Sequence, residues 1–286
     1  DVGDTILVTP EGEPGRPARR DAQGRVLEPA RVPCTLPEVF RDVRAGERIW
    51  FDDGRIGGLV TRADHAGLEV SIAHAPPGGA KLRADRGINL PDSALALPAL
   101  TPKDLADLGF AAQHADMVAL SFVRDPDDVA LLVRELDARS VPHLGVILKV
   151  ETRAAFERLP RLLLAALRSP PVGVMVARGD LAVECGFERL AEAQEEILWL
   201  CEAAHVPVIW ATQVLESLAK LGQPSRAEVT DAAMSGRAEC VMLNKGPHVV
   251  EAVRFLGNVL ERMRAHQQKK RAMLRKLAVS RTDPAA

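Results

Sequence analysis

The run "GVILKVET" places Lys149 and Glu151 at the end of an apolar stretch. Residues i and i+2 of a strand point to the same face, so the ammonium and the carboxylate are expected to share one cavity. On these residues alone a structural ion pair is as good an account, because lysine and glutamate are rarely buried without a partner. A second apolar run, "PVGVMV", leads directly into "ARGDLAVE" at residues 177–184. Two carboxylates from neighbouring strand ends, Glu151 and Asp180, are a donor set for Mg²⁺ or Mn²⁺. Such an ion takes one or two carboxylates and fills its remaining positions with water and substrate oxygens. "GDLAVE" also reads as the start of a short helix, with Asp180 as its cap. The amides of Gly179, Asp180 and the next residue would then form an anion site suited to a substrate carboxylate. The tripeptide Arg-Gly-Asp is not read as an adhesion motif, which needs an exposed loop tip. Thr212, after "VIWA", is placed to hydrogen-bond substrate or relay a proton, or simply to cap the next helix.

One lysine, two carboxylates and an oxyanion cradle on one rim suit chemistry through an enolate, with cationic charge placed where oxygen becomes negative. A transferring phosphoryl group needs the same clamp. GxxxxGK[ST] and GxGxxG patterns are missing from the sequence, so a bound nucleotide would not use a P-loop. "DDG" at 52–54 is a turn signal first and a ligand candidate second. The seven histidines show no metal-binding spacing, and His205 and His248 are read as local structure.

The elements that must carry these residues change character near residue 98. Residues 1–97 hold short strand-like runs, "TILVT", "RIWF", "IGGLVT" and "LEVSIA", separated by turn signals such as "DDG" and "PPGG". This pattern predicts a small antiparallel β domain, with 11–24 as a solvated loop. From residue 98 to 266, apolar runs at 117–121, 145–149, 172–177, 206–211 and 240–243 alternate with helical stretches at 126–138, 153–167, 187–204, 225–235 and 248–266. Five successive βα units without hairpin signals predict an α/β fold with a parallel sheet or barrel. The polar residues Ser121, Lys149, Arg178 and Thr212 at strand ends favour a (β/α)8 TIM-type barrel, whose active site lies at that edge. Three further strands are expected to precede Asp1. Residues 267–286 form a basic tail, read as a solvated helix end.

Composition narrows the function classes. The chain of 286 residues is 47% hydrophobic and 27% charged, with a formal net charge of −2. A core is affordable, and nothing global calls for nucleic acid or membrane as partner. Cys34, Cys185, Cys201 and Cys240 are scattered without zinc or disulfide spacing. Apolar stretches stay too short for a membrane span, and no signal-peptide pattern is read. A reducing cytoplasm is the expected location.

With these motifs in order, the chain resembles pyruvate kinase. The resemblance is carried by "VMVARGDLAVE", "AQEEILWLC", "PVIWATQVLES" and "PSRAEVTDAA", with "FDDG", "RGINLP", "LPALTPKDLADLGF" and "DMVALSFVR", in register from about residue 40 to 243. It implies a lid-like β domain inserted in a barrel, catalysis between the two, and transfer of a phosphoryl group from phosphoenolpyruvate to ADP, giving pyruvate and ATP. By motif, Lys149 stabilises the phosphoryl group and the enolate, and Glu151 and Asp180 hold Mg²⁺. Gly179 binds the substrate carboxylate, Thr212 stands beside the enolate carbon, and Ser121 and Phe122 line the pocket. Arg86, where the family often has lysine, and Asp53 would meet the nucleotide. The resemblance places the ligands of a monovalent cation, usually K⁺, and a phosphate-clamping arginine in strands upstream of Asp1. "NKGPH" at 244–248 replaces the family's Ser-Gly-Glu-Thr-Ala. The family's C-terminal regulatory domain has no counterpart, so control through it is not expected, and the segment alone is expected to be inactive. A homo-oligomer is compatible with the sequence. Two other readings stay open: a lyase or aldolase acting on a pyruvate-type 2-oxo acid, and a non-catalytic binding protein.

Overall fold

The structure, a computed structural model, describes residues 1–10, 12, 14–169 and 171–267. The chain divides into two compact units, Asp1–Pro98 and a second that begins at Ala99. The predicted basic tail lies, after Gln267, outside the described residues.

The first unit carries β1 (Thr5–Pro10), β2 (Arg19–Arg20), β3 (Val26–Glu28), β4 (Ala30–Cys34), the short α1 (Val39–Asp42), β5 (Arg48–Phe51), β6 (Ile56–Asp64), β7 (Gly67–His74) and β8 (Ile88–Asn89). Its main sheet has the order β4-β1-β7-β6-β5-β8. In β7, Leu68, Val70 and Ile72 are buried at a spacing of two and meet Val8, Ile49, Phe51 and Val60 in one core. "DDG" forms the β5–β6 turn, where Asp52, Asp53 and Gly54 all have positive φ; Asp and Gly are the residue types that tolerate it. The sheet is antiparallel except at one edge, where β4 runs parallel to β1 with Ile6 opposite Ala30. The chain returns to that edge only after an excursion, which allows a parallel approach. The excursion holds the exposed β2–β3 pair, tied by Arg19–Glu28 at 2.7 Å, with β2 inside the 11–24 stretch expected to be a solvated loop. Pro33 is tolerated in β4 because an edge strand need not donate on both sides.

The second unit holds α2 (Pro102–His114), β9 (Met117–Leu120), α3 (Pro126–Ala138), β10 (Gly145–Val150), α4 (Arg153–Glu157), α5 (Leu159–Ala166), β11 (Val172–Ala177), α6 (Arg178–Cys185), α7 (Leu190–Ala204), β12 (Val208–Val214), α8 (Glu216–Leu221), α9 (Arg226–Met234), β13 (Cys240–Leu243) and α10 (Val249–Gln267). Thr101 with Asp104, Asp125 with Asp128 and Ser225 with Glu228 form reciprocal caps at the starts of α2, α3 and α9. The predicted helix 153–167 is broken at Arg158, because Pro160 lacks the N–H needed to continue it.

Among the described residues the five strands are all parallel and lie in chain order, β9-β10-β11-β12-β13. A doubly wound sheet would reverse its order at a switch point; an unbroken order is that of a barrel wall. Alternation assigns the two faces. Val146, Leu148, Val150, Val174, Val176, Val208 and Trp210 are buried with helix residues such as Phe156, Leu162 and Ile197. The opposite face carries Met117 and Met242, which are exposed, and on β10 it carries Ile147 and Lys149. The unit is thus a half-barrel of the α/β class.

Candidate functional site

Lys149 and Glu151 belong to the odd-numbered face of β10 and its extension. The Lys149 ammonium is 2.7 Å from a Glu151 carboxylate oxygen and donates to the Ser121 hydroxyl at 2.9 Å. The other Glu151 oxygen accepts the backbone N–H of Phe122 at 2.5 Å. Phe122 sits just past β9 with φ 50° and an exposed ring. Glu151 is only 3% exposed. Burial, the largest influence, pushes its carboxyl above the ordinary range; the Lys149 and Phe122 hydrogen bonds oppose this, and the charge of Asp180 adds to it.

Asp180 reaches this neighbourhood from the next strand connection. β11 passes at once into α6, whose first turn contains Arg178, Gly179 and Asp180. The cap position belongs to Ala177, so Asp180 is not the cap that the sequence allowed. Its charge at the start of α6 is still favourable to the helix dipole. The Gly179 N–H, expected to be open for an anion, donates to the Thr212 hydroxyl at 2.9 Å.

Thr212 is inside β12, not after it, and does not cap the following helix; Leu215 occupies that cap position. Five residues of β12, Trp210 to Val214, span three of β13, Val241 to Leu243. The surplus is taken up by Thr212 at φ 64° and Gln213 at φ 55°. A β-branched residue in that region costs on the order of 1–3 kcal/mol, and such conformations gather at functional sites.

Sequence reasoning named Arg178 only as a strand-end residue and passed over its partners, Asp231 and Trp210. The Arg178 guanidinium pairs with both oxygens of the Asp231 carboxylate, donates to the Ala211 carbonyl at 2.8 Å and to the Thr212 carbonyl, and lies 4.7 Å from the Trp210 ring centroid. Trp210 Nε1 donates to Asp231 at 3.3 Å. The only local signal was an acid in "EVTDAA", indistinguishable from an exposed helix charge.

The structure therefore brings Ser121, Phe122, Lys149 and Glu151 into one hydrogen-bonded set, with Asp180 acting on it, and Gly179 with Thr212 into another. Arg86 and Asp53 are in the first unit, where Arg86 pairs with Asp52 at 3.0 Å and Asp53 is exposed in the turn. A cleft of about 260 Å³ beside β9 and α2 shares only Ser121 with the predicted set. Among the described residues no cluster of three or more His, Cys, Asp or Glu is placed to hold a metal. A divalent-ion site here would rest on two carboxylates, Glu151 and Asp180, a donor set that suits Mg²⁺ rather than a zinc-type cage. The mutual repulsion of Glu151 and Asp180 is what a cation held by both would relieve.

Residues 21–252 match the family model "Pyruvate kinase, barrel domain". The chain is similar to "Pyruvate kinase PKLR" of Rattus norvegicus, 36% identical over 222 residues, covering 75% of this chain and 37% of the relative. It is 35% identical to a pyruvate kinase of Mycobacterium tuberculosis over 239 residues, covering 80% and 48%. A pyruvate kinase of Geobacillus stearothermophilus is 34% identical over 238 residues, covering 81% and 39%. The chain spans less than half the length of these relatives.

Proposed function

This chain belongs to the pyruvate kinase family, and we propose that its strand-end site transfers the phosphoryl group of phosphoenolpyruvate to ADP. The observation that carries the reading is the Lys149 ammonium held between the buried Glu151 carboxylate and the Ser121 hydroxyl, one strand from Asp180. In the reaction the bond between phosphorus and the enol oxygen breaks, and phosphorus bonds to a terminal oxygen of ADP. The electron pair left on the enol oxygen makes an enolate, which becomes pyruvate when its carbon takes a proton.

Lys149 is the cation beside the transferring group and the enolate oxygen. Glu151 and Asp180 would hold Mg²⁺ or Mn²⁺, which supplies Lewis-acid charge to the phosphoryl and enolate oxygens when bound. The Gly179 N–H would exchange the Thr212 hydroxyl for a substrate carboxylate oxygen. That exchange frees the hydroxyl to face the enolate carbon. Ser121 and Phe122 would line the pocket, and Arg86 and Asp53 are the proposed nucleotide contacts. K⁺ is the proposed monovalent ion, with no ligand assigned in this chain. A cytoplasmic location and a homo-oligomeric state are part of the proposal. Among the described residues no helix is long and apolar enough to cross a membrane.

The test is pyruvate formation by the full-length protein from phosphoenolpyruvate, ADP and Mg²⁺, with K⁺ and then with Na⁺. Turnover is expected; none in either salt overturns the proposal. Proton exchange on pyruvate without ADP-dependent turnover would instead indicate the lyase reading.

A further inference from the structure

We infer that Arg178 and Asp231 form a positioning clamp that holds the backbone of Thr212 in its left-handed conformation, and so sets where the Thr212 hydroxyl points. The inference rests on the proposed role of Thr212 in the reaction.

Thr212 and Gln213 have φ 64° and 55°, a conformation that a threonine adopts only when its surroundings impose it. The bulge has no ladder partner of its own in β13, since the register jumps from Trp210–Val241 to Val214–Leu243. The carbonyls of Ala211, just before the bulge, and of Thr212, within it, are instead taken by one side chain. Arg178 Nε donates to Ala211 O at 2.8 Å, and Nη2 donates to Thr212 O. The same guanidinium is locked by both oxygens of Asp231, with 2.9 Å from Nη2 to Oδ2. Trp210 supports the pair from below, its ring 4.7 Å from the guanidinium carbon and its Nε1 on Asp231 at 3.3 Å. Four donor directions on one rigid plane are needed to reach two carbonyls and a bidentate carboxylate. A lysine ammonium keeps the charge but lacks that fork. The hydroxyl so placed meets the Gly179 N–H, and Gly179 follows Arg178 directly. Clamp, bulge and anion-binding amide are therefore one unit. A simple tie between α9 and the sheet would need only the carboxylate pair and would leave the carbonyls of Ala211 and Thr212 to other donors.

The test uses the full-length protein with Arg178→Lys and Asp231→Asn, each alone and combined with Thr212→Ala. Pyruvate kinetics and hydrogen exchange at the Gly179 amide are both read. Each single variant is expected to lower kcat about tenfold to a hundredfold, the scale of a small misplacement of a reacting group, with little change in KM for phosphoenolpyruvate. In the Thr212→Ala background the same change should lower kcat by less than about twofold, since effects through a shared residue do not add. Gly179 should exchange faster while α9 amides keep their protection. Equal losses in both backgrounds, or unaltered Gly179 exchange, overturn the clamp. If Asp231→Asn does not fold, Arg178→Lys carries the test; failure of both to fold assigns the pair to folding and also overturns it. A wild-type protein without turnover refutes the proposed function, and Gly179 exchange still decides the clamp.

Discussion

The ammonium of Lys149 lies 2.7 Å from the carboxylate of Glu151, whose side chain is 4% exposed. Glu151 is buried at the strand end while the Lys149 side chain is 23% exposed, and burial together with the charge of Asp180 holds the Glu151 carboxyl above its ordinary range against the lysine. A folded carboxyl that keeps its proton more tightly than the unfolded chain stabilises the fold most below its unfolded value. That contribution is lost as pH rises through the folded value. Glu151→Gln does not titrate. The metal-free variant should therefore be more stable than wild type at neutral pH, and the advantage should vanish below about pH 4. Thermal melts across this range in a chelator check the sign.

The same substitution should have the opposite effect once a divalent ion is present. Replacing one of two carboxylate donors by a neutral amide is expected to weaken Mn²⁺ binding by about tenfold or more. Electron paramagnetic resonance of free Mn²⁺ during titration measures it. Unchanged affinity would remove Glu151 from the metal site.

Thr212→Val deletes the acceptor of the Gly179 N–H while keeping side-chain shape, and a half-buried donor left unmatched costs about 1–3 kcal/mol. Thr212→Ser keeps the hydroxyl. The valine variant should lose pyruvate formation by about a hundredfold, with serine far closer to wild type. Equal activity of the two would show the hydroxyl to be dispensable.

Gly246 belongs to the "NKGPH" segment that departs from the family pattern. A Cβ there would fall 2.1 Å from the Ala219 carbonyl oxygen, a backbone atom that cannot rotate away, and the His248 N–H already donates to that oxygen at 3.0 Å. Gly246→Ala should cost about 1–3 kcal/mol, read as a lower urea midpoint. A midpoint unchanged from wild type would mean that the loop has room to shift.

Burial pushes the Cys201 thiol up to about 12 and Cys185 to about 11, and raises Cys34 as well, whereas Cys240 is exposed. Only the thiolate reacts, and a raised value keeps the thiol protonated at pH 8. Iodoacetamide at that pH should label Cys240 first and reach Cys201 only on unfolding. Peptide mass spectrometry reads the order.

Much of this protein was determined locally and is therefore legible in its residues. Strand alternation follows from backbone pleating, so "GVILKVET" alone put Lys149 and Glu151 on one face. The reciprocal caps of Thr101 with Asp104 and of Ser225 with Glu228 each span one turn and are equally local, although of the two helices only the one from 225 is predicted from the residues. The succession of βα units implied a parallel sheet or barrel, and the polar residues Ser121, Lys149, Arg178 and Thr212 at strand ends favoured the barrel. The tertiary structure alone decided what depends on distant chain meeting in space. Arg178 finds Asp231 across 53 residues, and Gly179 finds Thr212 across 33. The bulge that turns Thr212 left-handed comes from a register mismatch between β12 and β13, which neither strand encodes by itself. The parallel β1–β4 edge and the raised pKa of Glu151 have the same origin. Pairing partner and burial are set by the packing of whole elements, and no short window of sequence contains that information.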